Sequence, residues 1–374
     1  MKTQVMKTFS RLTAVFFLLI SSSFAATYYV GSCHASSYAT ISAAVEAAPA
    51  GAIVDVCPGT YSEQVFITRA LTLQGITSGN VERATIVVPA FNGGLPGWQF
   101  VPDPLGGSVM VAPQIYVNVT AGLVTIKNLT IDASGETTSP ACYATGYWRT
   151  TAILYENSGG TISGVNTLGQ GKYSGCGDGI RDVVTNASPV KLTLTNSSLQ
   201  DANDSGVTLE GTGLTVDVTR NILELAGDPS GIYSFNASGT ISSNFVNSPG
   251  FIVEDSGNDG SSSITYSDNV LRGGPTGCEI AMVFLRAAQV IGNKIDGCQY
   301  GIDLDATTYA VSLKSNFIAN TVFIAIELSC GSNVTLAGNT VTNAAEGVDS
   351  KPTSLSLAGI TFNNVGTVLN GSCP

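Results

Sequence analysis

Between Val207 and Val341 short runs of alternating apolar and polar residues each close on an asparagine, with another apolar residue two positions on. Val311-Ser-Leu-Lys-Ser-Asn316-Phe-Ile318 and Val334-Thr-Leu-Ala-Gly-Asn339-Thr-Val341 are two copies of the phrase. The asparagines are Asn221, Asn244, Asn269, Asn293, Asn316 and Asn339, spaced 23, 25, 24, 23 and 23 residues apart. A period of this length marks a solenoid in which each repeat is one coil stacked on the next. A second marker has the same period: a small residue followed by a β-branched one, at Gly179-Ile180, Gly206-Val207, Gly231-Ile232, Gly301-Ile302 and Gly347-Val348. Ile153, Ile252, Ile280 and Ile326 fill the remaining coil starts.

Strict alternation argues for strands rather than helix. Ile302, Leu304, Ile326 and Leu328 are expected inside; Asp303, Asp305, Glu327 and Ser329 are expected outside. An asparagine recurring at one turn is expected to form a ladder, its amide bonding the neighbouring coils and the local backbone. Ile360 takes the asparagine position in the last coil, as suits an atypical terminal repeat.

The amino-terminal end reads differently. Lys2, Lys7 and Arg11, the apolar run Leu12–Ile20 and Ser23-Phe24-Ala25 predict a secretory signal peptide over 1–25. That run is shorter than the roughly 20 apolar residues a membrane span needs. Residues 26–374 are expected to form one domain, with a cap and first coil over 26–75, a loop insertion over 89–113 and a terminal coil over 347–374. In the cap, Thr40 is placed to N-cap a short amphipathic helix, Ile41–Ala48, ended by Pro49 and Gly51.

The segments 38–49, Val54-Asp-Val-Cys-Pro-Gly-Thr-Tyr61-Ser-Glu63 and Leu71-Thr-Leu73-Gln-Gly75 resemble the opening of right-handed parallel β-helix proteins. They are similar in particular to the start of pectin methylesterases and related pectin-lyase-fold proteins. The close match spans residues 38–75, and the looser coil pattern spans the rest. With the repeat it implies an all-β, right-handed parallel β-helix of roughly ten or eleven coils, with a short capping helix and an Asn ladder. The activity does not transfer. Of the later catalytic segments of pectin methylesterases only Gln200-Asp201 is found, and their Arg-Pro-Trp segment is absent. Gly177-Asp178-Gly179 is a partial echo of polygalacturonases, but His34, the sole histidine, lies before the cap helix. Arg149, Arg181, Arg220, Arg272 and Arg286 stand in no lyase motif.

Composition narrows the partners. The chain carries 11% charged residues and a net charge of −11, without basic clusters, which argues against nucleic acid and anionic membranes. Its 8 cysteines suit an oxidising compartment; proximity favours Cys33–Cys57, Cys142–Cys176, Cys278–Cys298 and Cys330–Cys373 among 105 pairings. A secreted, extracellular or cell-envelope monomer is the expectation.

Two places suit chemistry. One outward column is expected to read Arg181, Thr208, Tyr233, Val253, Ala281, Asp303, Glu327, Asp349, with Asp305 beside its acids. Stacked carboxylates would raise one another's pKa or hold a cation, so Asp303, Glu327 and Asp349 are candidate Ca²⁺ ligands; a solvated acidic face is the competing reading. The second cluster joins Tyr143, Tyr147, Trp148 and Arg149 to Asp178 and Asp182, with Phe91, Trp98 and Phe100 in the insertion. Loop aromatics can stack on sugar rings while Arg and Asp bind hydroxyls or carboxylates. Trp98, Tyr143, Tyr147 and Trp148 are therefore candidate ligand-binding residues; Asp178, Asp182, Asp303, Asp305, Glu327, Arg149 and Arg181 are candidate catalytic ones. The functional expectation is a secreted protein that binds an extracellular polysaccharide, with cleavage by a lyase or hydrolase mechanism left open. The alternative is a non-catalytic envelope or surface scaffold.

Overall fold

A computed structural model describes residues 25–77, 83–89, 97, 99–102, 108–135, 148–171, 176–186, 188–227, 229–258, 263–274, 277–305, 309–329, 333–351 and 355–372. The signal-peptide expectation over 1–25 therefore lies almost wholly outside the described residues. The chain winds into a parallel solenoid of about 12 turns, near the expected count. Each regular coil lays down three strands, such as Leu214–Thr219, Ile222–Glu224 and Ser230–Phe235. The first kind stacks into a 13-stranded sheet; the other two share a 23-stranded sheet. Inward positions line up from coil to coil: Ile153, Ile180, Val207, Ile232, Val253, Met282, Ile302, Ile326 and Val348 are partners in one register. All are buried in one continuous core.

The recurring glycine has a steric cause. A Cβ at Gly179 would lie 2.5 Å from the carbonyl oxygen of Gly206, and one at Gly301 would lie 2.4 Å from that of Ala325. At these corners the next coil passes too close for any side chain.

The expected ladder is present. Asn221 Nδ2 donates to Asn244 Oδ1, Asn244 to Asn269, Asn269 to Asn293, Asn293 to Asn316 and Asn316 to Asn339, at 2.9–3.1 Å. The same oxygens accept a backbone N–H from the coil before, and the second amide hydrogen goes to a carbonyl such as Tyr266 O or Val290 O. Ser197 extends the ladder one coil earlier by donating its N–H to Asn221 Oδ1, and Ile360 ends it opposite Asn339. The preceding residue is left-handed at Arg220, Ser243, Asp268, Gly292, Ser315 and Gly338. Six buried amides with no unsatisfied side-chain atom turn an expensive set of polar atoms into a register lock.

The cap helix runs Ile41–Ala47, with Ile41, Ala44 and Val45 buried and Thr40 accepting from Ala43 N. Glu63 takes the free N–H groups of Ile41 and Ser42, each at 2.8 Å, and Tyr61 donates to Cys57 O. The esterase-like Gly59-Thr-Tyr61-Ser-Glu63 motif is thus a structural clasp on the cap. Cys33–Cys57 ties the cap, and Cys278–Cys298 joins register partners in adjacent coils. Cys176 is also disulfide-bonded, while Cys142, Cys330 and Cys373 lie outside the described residues. From the insertion, Gln99–Pro102 pairs antiparallel with Ser108–Val117. Val101, Val109 and Val111 pack with Tyr116, Leu154 and Val183 in a second, smaller apolar cluster.

The outward column is corrected at two coils. Val253 and Met282, not Ile252 and Ile280, are the inward register residues, so Glu254 and Val283 stand where Val253 and Ala281 were expected. Val253 and Ala281 belong to the core. The inward residue falls one position later than expected at Val253 and two later at Met282, because the loops between strands vary in length, which alternation alone does not register.

Replacing Asn293 or Asn316 by Ala strands its partners inside the wall. Each substitution is expected to destabilise the fold by roughly 1–3 kcal/mol, read as a lowered urea midpoint; an unchanged midpoint would remove the ladder as a source of stability.

Candidate functional site

The strands Trp148–Glu156, Gly177–Val183, Ser205–Glu210, Ser230–Phe235 and Val253–Ser256 stack side by side. Their outward residues Leu154, Arg181, Thr208, Tyr233 and Glu254 form one column, and Asp178, Ser205 and Ser230 form a second. Asp178 and Arg181 would face opposite ways on a flat strand. The chain turns a corner at Gly179, and the Arg181 guanidinium donates to Asp178 at 3.1 Å. It also donates to Glu210 at 2.6 Å. Thr208 donates its hydroxyl to Asp178 at 3.4 Å. Arg149 reaches over from the coil before, paired with Asp204 and 3.6 Å from Asp178.

This network is dry. Asp178 is 0% exposed, Arg181 2% and Glu210 4%, although all three lie outside the lumen. Burying ions costs several kcal/mol each before pairing repays it, so a paired cluster sunk beneath a groove is a candidate site. Above it opens a polar groove of about 270 Å³, lined by Arg149, Arg181, Asp204, Glu210, Tyr233 and Glu254 among others. Burial raises the Tyr233 phenol to about 12, with Glu210 and Glu254 pushing the same way and a hydrogen bond from Ser256 opposing. Burial also raises the Glu254 carboxyl, tempered by its hydrogen bond with Ser230. Of the residues singled out in the sequence, Arg149, Asp178 and Arg181 meet here. Asp204, Glu210 and Glu254 were not singled out.

The acidic column exists as a second feature. Asp303, Glu327 and Asp349 are register partners on successive coils. Burial first, then Glu327 and Asp305, raise Asp303 to about 6; burial first, then Asp349 and Asp305, raise Glu327. Asp305 accepts from Ser329 at 2.8 Å. Among the described residues no three His, Cys, Asp or Glu side chains are grouped so as to hold a metal ion. Asp201, of the Gln200-Asp201 echo, lines a separate groove of about 460 Å³ with Ser134, Leu168 and Asn203. His34 stacks on Tyr29 in the cap. Phe91, Trp98, Tyr143 and Tyr147 lie outside the described residues, as do the side chains of Phe100 and Trp148.

Residues 205–364 match the family described as "Right handed beta helix region". The chain is a right-handed parallel β-helix repeat protein. Solved structures repeat this β-helix at low identity. A PL6 alginate lyase in complex with a trisaccharide is 12% identical, with TM-score 0.55 over 95% of this chain and 89% of that one. The exopolygalacturonase of Thermotoga maritima is 12% identical, with TM-score 0.54 over 88% of each chain. XylC in complex with xylose is 11% identical, with TM-score 0.52 over 91% and 86%. At these identities the likeness is one of fold. No curated protein matches the sequence.

Asp182 does not reach the groove. It faces the β-helix lumen, stacked between its register partners Tyr155 and Leu209. It is 0% exposed, and neither carboxyl oxygen has a hydrogen-bond partner among the described residues. Burial, then the Glu210 charge, raises its pKa well above the usual carboxylate value. Asp255, also in the lumen, fares better. It pairs with the fully buried Arg286, which also donates to Ser234, though burial still raises it to about 6.

An acid with a raised folded pKa holds its proton more tightly when folded. Its contribution is intact below the unfolded value of about 3.9 and is lost as pH rises from there toward the folded value. Asp182→Asn is therefore expected to leave stability at pH 4 nearly unchanged and to raise it at pH 8 by roughly 1 kcal/mol or more. Denaturant melts across that range test this; equal effects at both pH values would refute a strained neutral acid at Asp182.

Proposed function

We propose that this β-helix binds an extracellular polysaccharide along the groove from Arg149 to Glu254. The observation that carries the reading is the buried ionic network Arg149–Asp178–Arg181–Glu210 beneath an open polar cleft. Sugars present hydroxyls in both donor and acceptor roles, and fixed carboxylates and guanidiniums on a rigid sheet match them without reordering. Tyr233 supplies a flat apolar ring edged by a hydroxyl, the usual platform for a pyranose face. The acidic and catalytic roles expected for Asp303, Asp305, Glu327 and Asp349, with Ca²⁺, stay a secondary proposal.

Fold neighbours that include an alginate lyase with a trisaccharide, an exopolygalacturonase and XylC with xylose support a carbohydrate ligand. The disulfides Cys33–Cys57 and Cys278–Cys298 support an oxidising, extracellular setting, in keeping with the sequence of 1–25. No helix among the described residues is long and apolar enough to cross a membrane.

A scaffold role has its own support. Ile222, Phe245, Val270, Lys294 and Phe317 stand in one outward column of the short strands, apolar but for the exposed Lys294, with Ile222 and Phe317 also exposed. Such a stripe suits packing against a matrix.

Tyr233→Ala is expected to weaken retention in polysaccharide affinity gels at least about tenfold, one stacking contact's worth, with the melting temperature little changed. The double variant Trp98→Ala/Trp148→Ala is expected to act in the same direction. Unaltered retention in both folded variants would move the binding site away from this groove.

A further inference from the structure

Resting on that reading of the groove, the charge pattern says what kind of chain it takes and what it does to it. Both guanidiniums are already engaged: Arg149 by Asp204 and Asp178, Arg181 by Asp178 and Glu210. Among the described residues that line the groove, no further cation stands ready for the carboxylate of a uronic acid. Asp178, Asp204 and Glu210 instead outnumber the two guanidiniums and give the cleft an excess of negative charge in a chain of net charge −11. A polyuronate entering it would meet repulsion in a partly desolvated site, where charges are poorly screened. An uncharged sugar meets only hydrogen-bonding partners. Arg149 Nε is buried and has no acceptor among the described residues.

The same groove holds two carboxyl groups in contrasting surroundings. Glu210 is clamped by the Arg181 guanidinium, which donates to it at 2.6 Å. Glu254 has no guanidinium among its contacts; it is half-buried and bonded to Ser230. Both lie close enough to the Tyr233 hydroxyl to act on its ionisation. In register Glu210 stands beside Phe235, and Glu254 beside Tyr233 on the following coil, so the two acids are two coils apart. With a further offset of two residues along the strand, their backbones lie roughly 12 Å apart, and both side chains line the groove together with Tyr233. Two carboxyl groups separated enough to admit a water molecule are the arrangement of inverting glycoside hydrolysis, where about 6.5–9.5 Å is usual.

We propose that this groove hydrolyses glycosidic bonds of an uncharged polysaccharide, with Glu254 as general acid and Glu210 as general base. Glu254 gives its proton to the glycosidic oxygen as the bond from that oxygen to the anomeric carbon breaks. Water adds to the anomeric carbon from the opposite face and gives its proton to Glu210. The products are two shorter sugars, one with a new reducing end. No oxidant, metal or further reactant enters the balance. Arg181 acts as a positioning residue for Glu210, and Asp178 as one for both arginines.

The test uses the full secreted chain with xylan, mannan and β-1,3-glucan as neutral probes and alginate and polygalacturonate as acidic ones. Binding is read on affinity gels and cleavage by new reducing ends. At least one neutral glycan is expected to bind and be cut, with activity falling as pH rises through the Glu254 ionisation. Glu254→Gln is expected to lower cleavage at least about 100-fold, the usual worth of a general acid, while binding and melting temperature persist. Glu254→Asp, which keeps the acid, is expected to restore part of the rate. Binding without new reducing ends, unsaturated products, preference for the polyuronates, or full activity in Glu254→Gln would each overturn the hydrolysis. Failure of the wild-type chain to bind any probe would instead overturn the binding function on which it rests.

Discussion

A side-chain amide buried in the wall of a stack of coils must find partners there, because water does not reach it. Each interior ladder asparagine, from Asn244 to Asn316, meets this by donating to the next asparagine and to a carbonyl of the coil before, and by accepting two N–H groups in return. The bonds can be made at one vertical alignment only. A coil that slipped by a residue would lose them all and turn its apolar set outward. Everything else in the molecule inherits that alignment. The lumen fills because Leu223, Val246, Leu271, Ile295, Ile318 and Val341 fall over one another. The outer surface carries ordered columns for the same reason.

The groove exploits this rigidity. Its ions come from different coils, and Arg181 and Glu210 are 29 residues apart in the chain yet bonded at 2.6 Å. Holding buried charges at such separations demands a frame that does not give, since a small loosening would expose unpaired charge at high cost. The stacked sheet supplies it. The hairpin of Gln99–Pro102 and Ser108–Val117 packs on the neighbouring face through Leu154 and Val183, so the strands that carry Arg149 and Arg181 are held from both sides. The lumen shows the contrast. There Asp182 is buried without a hydrogen-bond partner among the described residues, while Asp255 is paired with Arg286.

How far the candidate site could be read in advance depended on how local each signal was. Arg149, Asp178 and Arg181 stood out as charged residues beside a coil start. Asp182 stood out for the same reason, but alternation from Ile180 turns it inward, beneath the wall. Glu254 was hidden by a slip of one residue: with Ile252 taken as the coil start, Val253 occupied its place in the column. Glu210 and Asp204 carried no signal at all. One ends a strand and the other sits in a turn, and nothing near either in the chain announces the arginine it meets.

The sequence by itself determined the period, the inward and outward faces of most coils, the asparagine ladder and the helical cap. These rest on interactions repeated in every coil or closed within a few residues, so their signature recurs along the chain. Which outward side chains meet was decided only by the tertiary structure. Coil lengths vary, so a loop longer or shorter by one residue moves a side chain between core and surface. The corner at Gly179 brings Asp178 and Arg181 to one side against the alternation. Ionic contacts between coils have no period to betray them; they exist where the ladder brings distant residues to the same height.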